Sequence, residues 1–310
     1  MTLATTATTE SANLRGILAL LAGMAILTLN DVTVKLASTN LPTGQLIFLR
    51  GGLATVLILI ICLAMRRGAA IRGAFTAPVL SRAAANLGAT ICYLTALFNM
   101  PIANVSAIAQ AVPLLLTALA AIFLKEAVGW RRWLAIGIGF VGMLIIVRPT
   151  GDGFNVFAVF ALIAIVFTSV RDLLTRAVKP HVPSIVVTLA TSSVVTIGGA
   201  TMGLFETWSM PEPREAALIA ASGACLVGGY HFTIVAMRAG EVAVIAPFRF
   251  SIIVWAMLAG YLVWGEIPDA YTFAGIALIV ATGVYTFHRE AIRARLHRTP
   301  PIAAEARREI

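Results

Sequence analysis

The amino-acid sequence predicts an all-α integral membrane protein with ten transmembrane helices in two inverted five-helix repeats, both termini being cytoplasmic. Of its 310 residues 59% are hydrophobic and 12% are charged, and the mean hydropathy is +0.92. A soluble domain contains about 25% charged residues and about 45–50% apolar ones. The apolar residues also fall into blocks close to the roughly 20 residues that a helix needs to cross a bilayer. A multi-pass membrane protein is therefore predicted.

Ten apolar blocks divide the chain. They predict helices at residues 16–37, 44–65, 78–99, 101–123, 131–147, 155–178, 184–205, 216–237, 241–264 and 270–287. We accordingly expect a cytoplasmic N-terminal tail at 1–15, a first repeat at 16–147, a second repeat at 155–287 and a basic cytoplasmic tail at 288–310. The stretches left between the helices are too short for a separate soluble catalytic domain.

The positions of the basic residues predict the topology. If the N-terminus is cytoplasmic, the outer loops contain only Arg148 and Arg214. The cytoplasmic loops and tails then contain Arg15, Arg66, Arg67, Arg72, Lys125, Arg131, Arg132, Arg176, Lys179, Arg238, Arg289, Arg293, Arg295, Arg298, Arg307 and Arg308. This is the positive-inside distribution, so the formal charge of +9 indicates contact with an anionic lipid surface rather than with nucleic acid.

The cysteines and the N-terminus add two expectations. Cys62, Cys92 and Cys225 all lie inside predicted spans without a CxxC pair, so neither a disulfide framework nor a metal site is indicated. A basic n-region followed by a small-residue cleavage site is lacking. The first helix is therefore expected to be retained and to direct the chain to a bacterial inner membrane.

A shift of 140 residues aligns the two halves of the chain. It places Glu126 on Glu266 and the segment "FLKEAVGWRRW" on "VWGEIPDAYTF", with Gly88 on Gly228 and Ala96 on Ala236. Each half contains five predicted helices. An odd number of spans makes the second copy enter the membrane in the opposite orientation, which is the inverted-repeat design of many secondary transporters. Glu126 is then cytoplasmic and Glu266 lies outside.

The chain resembles the drug/metabolite transporter superfamily, in its ten-helix branch with two EamA-type domains. The resemblance is most specific in "GEVAVIAPFRFSIIVWAMLAGYLVWGEIPDAYTFAGIALIVATGVY" of the second half and includes "IANVSAIAQAVPLLLTALAAIFLKEAVGW" of the first. It implies a secondary transporter with a central cavity. Members of the family export amino acids, aromatic ones included, and other metabolites, or import compounds such as S-adenosylmethionine and riboflavin.

The stretch "LTLNDVTVK" places an acid and a base in the apolar first span. Asp31 and Lys35 are four residues apart and share one helical face, so we expect them to pair. Ionisable side chains at membrane depth face the bundle interior or water and are functional candidates. The pair either binds a charged cargo or coupling ion, or it orients the first helix while Lys35 extends to the surface.

Seven further side chains are candidates for lining a cargo cavity. Arg249 is the strongest, because it lies deep in its span between Phe248 and Phe250, where carboxylate recognition and stacking are both available. Snorkelling, packing and hydrogen bonds between helices are the alternative roles. The full set is Arg50, Tyr93, Gln110, Tyr230, His231, Arg249 and Trp255.

Two prolines inside spans are candidate hinges. Pro113 and Pro247 each remove a backbone donor, which interrupts a helix, and neighbouring groups in a bundle can bind the freed carbonyl. The alternative is that proline is simply commoner in membrane helices. Arg171 and Asp172, near the inner end of the sixth span, are either a gate or a topology anchor.

These observations favour a transporter over an enzyme, a channel or a scramblase. The sequence contains no HExxH, Gly-x-Ser-x-Gly or P-loop motif, so neither a recognised catalytic set nor direct use of ATP is indicated. We expect no cofactor. The expected function is export of amino acids or related metabolites by alternating access, and uptake of a nucleoside-like or vitamin cofactor is the alternative. The expected partners are a small-molecule cargo and membrane lipid, and the expected unit is a monomer.

Overall fold

The computed structural model describes residues 2–65, 73–125, 129–148, 155–179, 181–239 and 242–298, without the side chains of 2–11, 242–243, 287 and 289–298. All the regular structure in these residues is helical. The α-helices are α1 (Thr2–Ala37), α2 (Thr43–Ala64), α3 (Ala77–Asn99), α4 (Ile102–Ala109), α5 (Val112–Phe123), α6 (Trp130–Val147), α7 (Phe157–Thr175), α8 (Ser184–Met202), α9 (Pro213–Ala239), α10 (Val242–Ile245), α11 (Ser251–Trp264) and α12 (Ala270–Arg298).

Helix occurs at each of the ten predicted segments, and eight of these helical segments in the described chain are long and apolar enough to cross a membrane. The apolar part of α12, Ala270–Thr286, is shorter. The 23-residue helix α3 is long enough but carries Arg82, Asn86 and Asn99. An all-helical, multi-pass architecture is thus confirmed, whereas the count of ten membrane crossings and the cytoplasmic position of the termini stay predictions.

Two segments that were predicted as continuous helices are broken. Residues 101–123 form α4 and α5, and α5 begins one residue before Pro113. Residues 242–264 form α10, a 3₁₀-helix at Ala246–Phe250 that contains Pro247, and α11. A proline in the first turn of a helix loses no bond, because that N–H has no intrahelical partner. Each proline therefore lies where a helix restarts; whether either acts as a hinge stays a prediction.

The main helix contacts join one half of the chain to the other. Helix α1 packs on α9, α2 on α8, α3 on α7, α4 on α11 and α6 on α12. In the predicted repeat α1 corresponds to α7, α2 to α8, α3 to α9 and α6 to α12. Exchanging the two halves therefore turns the α1–α9 contact into the α7–α3 contact, and it leaves the α2–α8 and α6–α12 contacts unchanged. These helix pairs bury the largest apolar cluster of the described residues between the two halves, and the division into two inverted repeats stays a prediction.

Glycine allows the closest of these approaches. A Cβ on Gly275 of α12 would lie 2.6 Å from the carbonyl oxygen of Gly142 on α6, and one on Gly199 of α8 would lie 2.5 Å from the backbone nitrogen of Phe48 on α2. Both distances are too short for any side chain. Small residues let membrane helices pack at this backbone-to-backbone distance.

Polar contacts join neighbouring helices at both ends of the bundle. At one end, the Glu266 end, Arg148 pairs with Asp269 and Asn155 donates to the carbonyl of Asn99 at 3.0 Å. At the opposite end, the Arg82 end, Arg82 donates to Thr175 at 2.8 Å and to Thr191 at 2.7 Å. By the predicted topology the Glu266 end faces outward.

Candidate functional site

A hydrogen-bonded chain of four polar side chains crosses three helices of the first half. Arg50 of α2 donates to Asn30 Oδ1 at 2.9 Å, and Asn30 Nδ2 donates to Asp31 Oδ1 at 2.9 Å. Tyr93 of α3 donates its hydroxyl to Asp31 Oδ2 at 2.6 Å. We call Asn30, Asp31, Arg50 and Tyr93 the Asp31 cluster. Three of the nine predicted cargo-binding residues thus lie in one network, connected through Asn30.

The Asp31 cluster is buried and contains one charge of each sign. Asn30 is 4% and Asp31 8% exposed, while Arg50 and Tyr93 are half-buried. A buried charge is tolerated only where an opposite charge and hydrogen bonds compensate the lost hydration. Both oxygens of Asp31 accept a bond, and Arg50 supplies the positive charge. The guanidinium can bind an incoming carboxylate, and the Asp31 carboxylate can bind an incoming cation.

The expected pair between Asp31 and Lys35 does not form. Lys35 Nζ lies 3.2 Å from Glu266 Oε1 and donates to the Met100 carbonyl at 2.6 Å. It also lies 4.7 Å from the centre of the Trp264 ring. Residues four apart share a helical face but are offset by about 6 Å along the axis. The two charges of α1 therefore contact different neighbours: Asp31 bonds to Tyr93 of α3, whereas Lys35 bonds to Met100, between α3 and α4, and to Glu266, just after α11.

Glu266 is a half-buried residue that joins Lys35 to the start of α4 and that the candidate set omitted. Its Oε2 accepts the backbone N–H of Ile102 at 3.1 Å, while Oε1 binds Lys35. The repeat alignment had singled this residue out, and its position at the end of a span was the available signal. Its counterpart in that alignment, Glu126, lies outside the described residues.

Tyr230 and His231 of α9 lie at different distances from the Asp31 cluster. Tyr230 is 57% exposed and lies near Arg50 and Tyr93, without a described hydrogen bond to either. His231 is exposed and makes an edge-to-face contact with Phe232. The structure thus brings Tyr230 toward the cluster and gives His231 no described contact with it.

Two of the three remaining predicted residues, Gln110 and Arg249, lie at the helix breaks, and Trp255 lies within α11. Gln110 is buried at the end of α4, and Arg249 is exposed within the 3₁₀-helix of residues 246–250. Trp255 packs among apolar side chains of α1 and α9, and its indole nitrogen, like the hydroxyl of Ser251 one turn earlier, is buried without a hydrogen-bond partner in the described chain. The described contacts join none of these residues to the Asp31 cluster.

A second polar network lies toward the Arg82 end. Arg171 binds Asp172 through Nε at 2.9 Å and Nη2 at 2.8 Å, and Nη1 donates to Asn86 of α3 at 3.1 Å. The sequence had indicated Arg171 and Asp172 as a gate or an anchor, but not the connection to Asn86. Arg82 was missed altogether, although it is a charge in the interior of a predicted span.

Comparisons with known proteins agree with this architecture. The EamA-like transporter family matches residues 14–148. The pseudopaline exporter CntI of Pseudomonas aeruginosa is 27% identical over 266 residues, which cover 85% of this chain and 92% of that protein. The S-adenosylmethionine uptake transporter of Rickettsia prowazekii is 24% identical over 279 residues, covering 89% and 94% respectively.

Two further similarities concern a shorter region and the fold. The riboflavin transporter of Rhizobium johnstonii is 26% identical over 203 residues, covering 66% of this chain and 67% of that protein. A solved crystal structure matches with a TM-score of 0.58 and 22% identity over 92% of this chain and 99% of that chain, which shows the fold alone. The predicted resemblance is confirmed: residues 14–148 match the EamA-like transporter family, and the chain is a multi-pass membrane protein similar to transporters of small molecules.

Proposed function

We propose that this protein is a secondary transporter that exports zwitterionic metabolites, most directly amino acids including aromatic ones, across the inner membrane. The observation that carries the proposal is the Asp31 cluster, which holds a carboxylate and a guanidinium of opposite charge in one buried network. An amino acid carries the complementary ammonium and carboxylate. Its ammonium would bind Asp31, and its carboxylate would bind Arg50 in the bidentate geometry that guanidinium favours.

The chemistry of the cluster also ranks the alternative cargoes. S-adenosylmethionine ends in an amino-acid group and could use the same two charges, so its uptake is the second candidate function. Riboflavin has neither an ammonium nor a carboxylate, so it would gain no charge-assisted hydrogen bond from Asp31 or Arg50. The cluster therefore favours cargo with an amino-acid group over a neutral vitamin.

Alternating access is supported by where the helices break. One interruption lies in each half, at residues 110–111 and at Ala246–Phe250. Interrupted hydrophobic segments at corresponding positions of two repeats are typical of transporter binding regions. Polar contacts between the halves occur at both ends of the bundle, so each end has bonds that would have to separate when it opens. We place Arg249, at the second break, on the cytoplasmic side of the central cavity that the family resemblance implies.

Counterflow in proteoliposomes tests the proposal. Vesicles preloaded with unlabelled amino acids, S-adenosylmethionine or riboflavin receive a trace of the labelled compound, and accumulation of label measures exchange. Saturable exchange of amino acids that is lost in Asp31→Asn is the expected result. Empty vesicles are the background control, and Glu212→Gln, which removes an exposed charge just before α9 and outside the cluster, is the matched control. Exchange of riboflavin alone would refute the proposal.

A further inference from the structure

We propose that Glu266 is a second cargo-binding residue, at which the ammonium of the cargo displaces Lys35 and so opens the Glu266 end of the bundle. The inference rests on the proposed function and adds to it a binding site distinct from the Asp31 cluster. We call Lys35, Glu266, the Met100 carbonyl and the Ile102 N–H the latch. The latch joins both halves of the chain, since Glu266 belongs to the second half and the other three groups to the first.

Two cavities meet at the latch. The Arg148 cavity, about 310 Å³, is lined by Asn104, Arg148, Asp269 and Glu266 among others. The Trp264 cavity, about 620 Å³, is lined by Lys35, Phe98, Trp264 and Glu266 among others. The residues that line both are Met100, Pro101 and Glu266. The wall between the cavities is thus built largely from the latch itself, and separating Lys35 from Glu266 would join them into one passage.

The other contacts of Lys35 and Glu266 show that the two residues can separate when a cargo ammonium binds Glu266. Lys35 also has the Met100 carbonyl at 2.6 Å and the Trp264 ring at 4.7 Å, and its side chain is 9% exposed. The Glu266 side chain is 22% exposed and is therefore reachable from the cavities. When a cargo ammonium binds Glu266, Lys35 keeps its two other contacts and Glu266 keeps a cation and the Ile102 N–H. The exchange keeps an opposite charge beside Glu266 and leaves Lys35 a hydrogen bond and a cation–π contact, which limits its cost.

The Arg148 cavity is suited to the other end of a zwitterion. Arg148 lines the same cavity as Glu266, and its side chain is 27% exposed. A cargo whose ammonium binds Glu266 thus has the Arg148 guanidinium in the same cavity, and its carboxylate would share that guanidinium with Asp269. A cargo without an ammonium has no means of replacing Lys35 and should leave the latch closed.

Opposite changes in affinity test this competition. We would measure the Kd for binding of labelled L-phenylalanine to the purified protein. We would also measure the Ki of 3-phenylpropionate as a competitor, because it has the same ring and carboxylate but no ammonium. Glu266→Gln should raise the Kd for phenylalanine tenfold or more, because the anion is gone. Lys35→Met should lower that Kd severalfold, because the competing cation is gone. The Ki of 3-phenylpropionate should change less than threefold in Glu266→Gln.

Controls separate competition from a structural role. Glu212→Gln removes a charge at the same end outside both cavities and should change neither constant. If Lys35→Met does not fold, Lys35→Arg replaces it and should leave the Kd near that of the unmodified protein, since a cation is retained. If the Kd for phenylalanine changes in the same direction in Glu266→Gln and Lys35→Met, or does not change, this inference is overturned and the proposed function is not. Failure of the unmodified protein to exchange any amino acid would overturn the proposed function and this inference with it.

Discussion

Tyr93→Phe removes one hydroxyl from the Asp31 cluster and leaves the aromatic ring in place. That hydroxyl donates to Asp31 Oδ2 at 2.6 Å, and the other carboxylate oxygen accepts from Asn30 at 2.9 Å. Hydroxyl-to-carboxylate bonds of this length belong to the stronger class of hydrogen bonds. Asp31 is 8% exposed, so water does not readily take the place of the lost donor.

The expected loss follows from that single bond. A hydrogen bond to a charged group contributes about 1.5–3 kcal/mol net, and about 1.4 kcal/mol corresponds to a tenfold change. If Asp31 binds the cargo ammonium in the orientation that Tyr93 sets, kcat/KM for amino-acid exchange should fall about 10- to 150-fold in Tyr93→Phe. Initial rates of counterflow over a range of cargo concentrations measure this ratio.

The control is a tyrosine that lies outside the network. Tyr261 of α11 is 58% exposed, and Tyr261→Phe removes the same hydroxyl without touching the Asp31 cluster. A kcat/KM for Tyr93→Phe within twofold of that for Tyr261→Phe would refute the reasoning. If Tyr93→Phe instead lowers the thermal midpoint while kcat/KM stays constant, the cluster holds α1 to α3 and does not bind cargo.

Three further predictions concern the cluster, the packing and the loop before α12. Arg50→Lys keeps the charge but loses the planar fork, so the Ki of carboxylate-bearing competitors in counterflow should rise tenfold or more, and an unchanged Ki would remove Arg50 from the site. Gly275→Ala places a Cβ 2.6 Å from a backbone oxygen of α6 and should lower stability by about 1–3 kcal/mol. Gly137→Ala, with no heavy atom within 4 Å of the added Cβ, should not, and equal thermal midpoints would contradict the close approach. The Arg148 guanidinium, together with hydrogen bonds from Thr272, holds the pKa of Asp269 at about 2 instead of 3.8. A lowered folded-state pKa stabilises above the unfolded value, so this contribution should be lost as pH falls from about 4 to about 2, and Arg148→Gln should reduce that part of the pH dependence of thermal unfolding.

The amino-acid sequence by itself determined the environment of the chain and most of its helices. Apolar blocks of membrane length are a local property, because the cost of placing a segment in hydrocarbon depends on its own side chains. The same local reasoning identified Asp31, Arg50 and Tyr93 as candidates, since polar groups in apolar spans stand out one at a time. It also identified Pro113 and Pro247, since proline acts on the turn that contains it.

Only the tertiary structure decided which of these groups meet. Helical spacing predicted that Lys35 pairs with Asp31 four residues away, yet its partner is Glu266, 231 residues along the chain. Likewise Asn30 joins Arg50 to Asp31 because α1, α2 and α3 converge there. Side-chain partners depend on how helices pack, and that packing is set by close contacts such as those of Gly275 and by the burial of apolar surface between the halves. Periodicity along one helix contains no information about which neighbour its face will meet.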